Sequence, residues 1–209
     1  MSSRDKILNT VKNNQPPLSE LPALPGDVPA ASDLFGAFTS MLESIGGNAY
    51  LVSGFDRIAT ILHEQHPEVR RIVSGCPELS SFAEVARHYD DPHTLENIDL
   101  AILRAHFGVA ENGACWITED RMIERVLPFI TQHLALVLRR EEIVADMHQA
   151  YARIAALEAA AGNSYGFATF IAGPSKTADI EQSLVLGAHG PRSLTVFLLD
   201  EEISDAGFY

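Results

Sequence analysis

The chain has 209 residues, 46 % of them apolar, and a formal net charge of −13. One core can serve that length, so a single α/β-sized domain is expected. The acid excess excludes nucleic acid as a partner, because its capture needs basic surface to displace counterions, and it excludes docking on anionic membranes. No apolar run approaches the roughly 20 residues that span a bilayer, and the first residues carry no signal-peptide pattern. With only Cys76 and Cys115 present, no disulfide framework is expected and the cytoplasm is the expected compartment.

Ile7, Leu8 and Val11 recur at helical spacing within residues 4–13, so a short amphipathic helix opens the chain. Five of the eleven prolines follow between Pro16 and Pro29. Each fixes its own φ and disfavours helix just before it, which predicts an extended arm. Residues 1–31 are therefore set apart as a helical arm and proline-rich linker, and residues 32–209 as the domain. Ser32 is placed to cap a helix with Leu34, Phe35, Phe38, Met41, Leu42 and Ile45 on one face, stopped by Gly46 and Gly47. Residues 49–53 read as a strand, 55–66 as a helix, 69–74 as a strand and 79–88 as a helix. Three short apolar pieces, 100–103, 107–110 and 114–118, read as closely spaced strands. A strand over 133–138 and a long helix over 141–160 follow. Two apolar strands, 167–172 and 194–200, flank a short helical run. Continuous rather than alternating apolarity means strands buried on both faces, hence an α/β domain with a largely parallel sheet between helices.

The candidate chemistry lies mainly in residues 173–192. Gly173 allows close backbone approach and Pro174 suits the first helical position. Ser175 and Thr177 can cap the helix or bind a ligand oxygen, Lys176 offers a point charge, and Asp179 lies in the first helical turn. Amides, hydroxyls, an ammonium and a helix N-terminus meeting at one sheet end form an anion site. A capped helix whose acids complement its dipole is the alternative. Ahead of the last strand, His189 could carry a proton and Arg192 could bind a carboxylate; a solvated glycine–proline turn is the alternative. Glu111 sits in Ala-Glu-Asn-Gly at 110–113, between two apolar pieces, on a turn where Asn112 and Gly113 favour positive φ. The alternative there is a hairpin with a solvated acid. His63 and His66 stand three apart with no third ligand indicated, so no metal site is expected. His88, His93 and His106 are expected on the surface or as caps, and Trp116 in the core.

The run GPSKTADIEQSLVLGAHGPRSLTVFLLD at 173–200 resembles the C-terminal signature of the lactate-utilization protein C family, which carries the LUD domain. The resemblance extends over residues 32–200 and implies a ribose-5-phosphate isomerase/coenzyme A transferase-like fold. It also implies a part in oxidising L-lactate to pyruvate. The 110–113 tetrapeptide resembles the Ser-Glu-Asn-Gly motif of coenzyme A transferases with alanine for serine, while LUD proteins more often have Ala-Glu-Thr-Gly; Asn112 is thus a departure. Lys176 is another, since the family more often has arginine there. On this basis the expected site is the cleft between the two segments. Glu111, as nucleophile or general base, and His189 would be catalytic. Asn112, Gly113, Gly173, Ser175, Lys176, Thr177, Asp179 and Arg192 would hold a small organic acid or anionic cofactor fragment.

Taking lactate to pyruvate removes two electrons, yet the sequence has neither a cysteine cluster nor a Gly-x-Gly-x-x-Gly after a strand. The resemblance accordingly implies cysteine-rich and iron–sulfur partner proteins that bear the clusters, and no intrinsic cofactor. Two further readings stay open. One is a stand-alone enzyme acting on an acyl or sugar-phosphate substrate through Glu111, the other a non-catalytic assembly subunit.

Overall fold

The computed structural model describes residues 2–20, 33–85, 88–162, 166–178 and 183–200. The chain divides into two compact units, residues 1–30 and 31–209. In the first, helix α1 (Ser3–Asn13) starts from a capping box: the Ser2 hydroxyl accepts from the Asp5 amide and the Asp5 carboxylate accepts from the Ser2 amide. Ile7, Leu8 and Val11 line one side of α1 and are exposed.

The second unit opens with α2 (Leu34–Ser44), whose Asp33 cap accepts from the Gly36 amide at 3.0 Å. Ser32, the expected cap, lies outside the described residues. Phe38 and Leu42 drive α2 into the core, and Gly46 ends it with a φ of +87°. The chain continues through β1 (Asn48–Val52), α3 (Phe55–Gln65), β2 (Ile72–Ser74), β3 (Glu84–Val85) and β4 (Leu100–Arg104). Then come β5 (Phe107–Val109), β6 (Ala114–Thr118), α4 (Leu127–Ile130), β7 (His133–Arg139) and β8 (Ile143–Val144). Helix α5 (Met147–Ala161), β9 (Ala168–Ile171), β10 (Lys176–Thr177), β11 (Val185–Leu186) and β12 (Ser193–Leu199) close the sequence of elements.

The central sheet runs β1-β12-β7-β4-β2-β3, with every neighbouring pair parallel. Its inner strands β4, β7 and β12 bury both faces, which is why they read as unbroken apolar runs. Ala101, Leu103, Leu134, Leu136, Leu138, Val196 and Leu198 pack with α2 on one side. Leu100, Ile102, Val137, Phe197 and Leu199 pack with Ile58 and Leu62 of α3 on the other. A second sheet, β8-β5-β6-β9, carries the β5–β6 hairpin at its centre, and α5 lays Ala150 and Ile154 against Phe107 and Val109 of its outer face.

Three sequence expectations change. In place of a helix over 79–88, a 3-10 turn (Pro77–Leu79) leads to β3, because the edge of β2 pairs Val73 with Glu84 and Ser74 with Val85. The helix expected from 141 begins at Met147: Ile143 and Val144 pair with β5, and Asp146 is the cap, accepting from the Gln149 amide at 2.9 Å. Pro174 does not begin a helix either. Lys176 and Thr177 pair antiparallel with Leu186 and Val185, and the Ser175 amide donates to the Pro191 carbonyl at 2.9 Å.

Candidate functional site

The expected site residues fall into distinct groups. Gly113 and Gly173, both at positive φ, stand close against the end of α2: a Cβ at Gly113 would lie 3.0 Å from the Leu42 backbone, and one at Gly173 2.9 Å from the Ile45 carbonyl oxygen. The ammonium of Lys176 stands beside Gly46 at the same end of α2, where the helix dipole is negative. Ser175 is fastened to the loop before β12 through Pro191 and Gly187, and Gly190 packs on its Cβ. Thr177 is half-buried in β10, while His189 and Arg192 are exposed. Asp179 lies outside the described residues. The structure therefore gathers Gly113, Gly173 and Lys176 around the end of α2. The Glu111 carboxylate turns elsewhere: it accepts from the Met147 amide at 2.9 Å, the first residue of α5. Asn112 follows it, its Oδ1 accepting from the Ala114 amide and its Nδ2 lying 3.2 Å from Met147 Sδ.

A polar cavity sits at the opposite, carboxyl edge of the central sheet, the edge where open α/β sheets bind ligands. Both β4 and β7 leave the sheet here. The Ala105 amide still donates to Val137 of β7, but the His106 amide donates to Trp116 of the second sheet. After β7, a 3-10 turn (Arg140–Glu142) leads to β8, which pairs with β5. The diverging sheets leave about 210 Å³, lined by Ala105, His106, Arg121, Arg139, Glu142, Arg153 and Leu157.

Three arginines thus meet one carboxylate. Arg153 is ion-paired with Glu142, Arg139 lies 3.8 Å from Glu141, and Arg121 donates to the Ala105 carbonyl at 3.1 Å. Burial lowers the pKa values of Arg121 and Arg153, although a guanidinium keeps its charge in proteins. Burial first, then the Arg121 and Arg153 cations, push His106 down to about 4, against the pull of Asp120. The imidazole is therefore neutral at pH 7, with Nε2 2.6 Å from Thr118 Oγ1. Two residues beyond Arg121, Ile123 holds a φ of +66°. A β-branched residue in the left-handed region is strained, and such strain gathers at functional sites. Guanidinium groups match carboxylates in planar, bidentate fashion, so the cavity suits a small organic anion. A neighbouring cavity of about 420 Å³ sets Asp33, Glu141 and Asp200 around Arg140 and does not.

None of the three arginines stood out in the sequence, and His106 was expected at the surface or in a cap. The available signal was Arg104 and His106 interrupting an otherwise apolar run over 100–110. Polar groups in the middle of a buried run demand partners or a ligand.

Fold and cavity define a parallel α/β protein with an arginine-lined pocket where two central strands leave the sheet. The LUD domain family matches residues 78–199, and the chain belongs to that family, as residues 173–200 led us to expect. It is 31 % identical over 166 residues to Lactate utilization protein C of Bacillus pumilus, across 79 % of this chain and 68 % of that one. The match to the Geobacillus thermodenitrificans protein of that name is 26 % over 166 residues, 77 % of this chain and 66 % of the relative. Lactate utilization protein C 1 of Bacillus mycoides matches at 29 % over 104 residues, 50 % of this chain and only 44 % of its own length. Among solved structures, a DUF162 family protein from Deinococcus radiodurans shares the fold, with a TM-score of 0.58 and 18 % identity over 80 % of this chain and 97 % of that one.

Proposed function

We propose that this protein is a cytoplasmic component of an L-lactate utilization system that holds a small 2-hydroxy or 2-oxo acid at the carboxyl edge of its sheet. The observation that carries the reading is the meeting of Arg121, Arg139 and Arg153 around a neutral His106. The names of the relatives supply the pathway. The arginines bind the acid's carboxylate. With Nε2 of His106 engaged by Thr118, the other ring nitrogen is left for the acid's 2-hydroxyl.

Electrons from lactate oxidation are assigned to iron–sulfur partner proteins. The two cysteines of this chain suit packing better than cluster ligation: burial raises the thiol of Cys76 to about 11 and that of Cys115 to about 12. Deletion of the gene is expected to abolish growth on L-lactate while leaving growth on pyruvate intact. Arg121→Gln, produced at wild-type level, is expected not to restore it. Undiminished growth of the deletion strain, or full rescue by Arg121→Gln, would contradict the proposal.

A further inference from the structure

At the amino edge of the central sheet, far in topology from the acid cavity, a second group of side chains has no part in the function proposed above. His66 follows α3 as its C-cap, Glu68 lies just beyond Pro67, and His133 opens β7. The two imidazole rings are 3.9 Å apart between centroids and tilted by 32°. Glu68 Oε1 lies 4.0 Å from His66 Nδ1 and 4.0 Å from His133 Nε2. One ligand atom from each of the three falls within 4.8 Å of the others. From this geometry we propose that His66, Glu68 and His133 bind one divalent transition-metal ion of the zinc type.

The donor set is the first argument. Two imidazoles and one carboxylate make a borderline nitrogen–oxygen site that favours zinc and its neighbours over magnesium or calcium. Three protein ligands also leave a fourth, tetrahedral position for water or substrate. Orientation is the second. The Nδ1 of His133 lies 2.8 Å from Ser193 Oγ, and its backbone amide donates to the Asp99 carbonyl at 2.8 Å. An outer hydrogen bond of this kind fixes the ring and leaves Nε2 for a metal. The third argument is fit. A tetrahedral ion with bonds of about 2.1 Å holds its ligands about 3.4 Å apart. The spacings here, within 4.8 Å, are wider, and the Glu68 side chain, 68 % exposed, can swing to shorten its own two.

The charged groups facing His133 are Glu68 and Asp99, which draw a cation, and Arg192, which repels one. The Asp99 carboxylate is itself held by the Arg70 and Arg71 amides at 2.9 and 3.0 Å, in reach as outer support. Arg192, expected from the sequence to bind an anion, thus stands beside this cluster. No spacing rule could have paired His66 with His133, because β2 to β6 lie between them in the chain and only the parallel sheet brings them together.

The test uses untagged, chelator-treated full-length protein titrated with zinc by calorimetry and with cobalt(II) by visible absorption. One equivalent is expected to bind, and cobalt is expected to show the intense d–d band of four-coordination. His66→Gln, Glu68→Gln and His133→Gln should each weaken binding about 100-fold. Ser193→Ala, which removes only the outer hydrogen bond, should weaken it about 10-fold. Arg192→Ala should tighten it, and His63→Gln should change nothing. No binding at micromolar zinc, or one equivalent that survives all three ligand substitutions, would overturn the site. If His133→Gln does not fold, the exposed Glu68→Gln carries the test. Lactate binding is read separately, at the other edge of the sheet, so either result leaves the other standing.

Discussion

His106 carries the clearest cost of building the arginine-lined cavity. Its imidazole has an ordinary pKa near 6.5 in an unfolded chain, and in the fold burial and the Arg121 and Arg153 cations bring it down to about 4. Between those values the unfolded chain binds a proton that the folded one refuses, so stability rises with pH across the window. The contribution is fully present above 6.5 and is lost as the pH falls toward 4. His66 and His133, also lowered by burial, act in the same direction. Urea unfolding at pH 7 and pH 4.5 is expected to show a loss of stability in the wild type about 2 kcal/mol larger than in His106→Gln. Equal losses would mean that the imidazole is as freely protonated in the fold as in the unfolded chain.

At the scale of elements, the end of α2 is gripped by two turns, one from each of the segments that the sequence marked as functional. Gly162→Ala and Gly173→Ala separate the two reasons for glycine. Both positions have positive φ, 64° and 69°, but a Cβ at Gly162 meets nothing within 4 Å, whereas one at Gly173 meets the Ile45 carbonyl oxygen. Left-handed strain alone costs about 1–2 kcal/mol, so Gly162→Ala should lose about that and Gly173→Ala clearly more, as measured by urea midpoints. Equal losses would contradict the close approach to α2. This grip also explains which elements the sequence disclosed. Long periodic or continuous apolar stretches such as α3, β7 and β12 were legible, because burial writes its period directly. The segment after Gly173 was not, because glycine, proline, serine and threonine serve turns and helix starts alike, and a two-residue partner such as β11 has no period. Glu141 and Glu142 imitated the acidic start of a helix, while the β-branched Ile143 and Val144 were the truer sign of a strand.

For the molecule as a whole, the parallel sheet and the LUD family could be read from residues, and the arginine cavity could not. Its lining comes from the β4–β5 link, the Arg121 turn, the end of β7 and the middle of α5. Only the exit of β4 and β7 into a second sheet makes these neighbours. Whether this cavity holds a small organic acid is decided by calorimetric titration of wild type and Arg121→Gln with L-lactate, pyruvate and the uncharged lactamide. Saturable one-site binding of an acid, none of the amide, and at least a tenfold loss in Arg121→Gln are expected. At a hundredfold excess over Kd the bound acid should add about 2.7 kcal/mol to wild-type stability. Absence of saturable binding, or binding indifferent to Arg121, would contradict it.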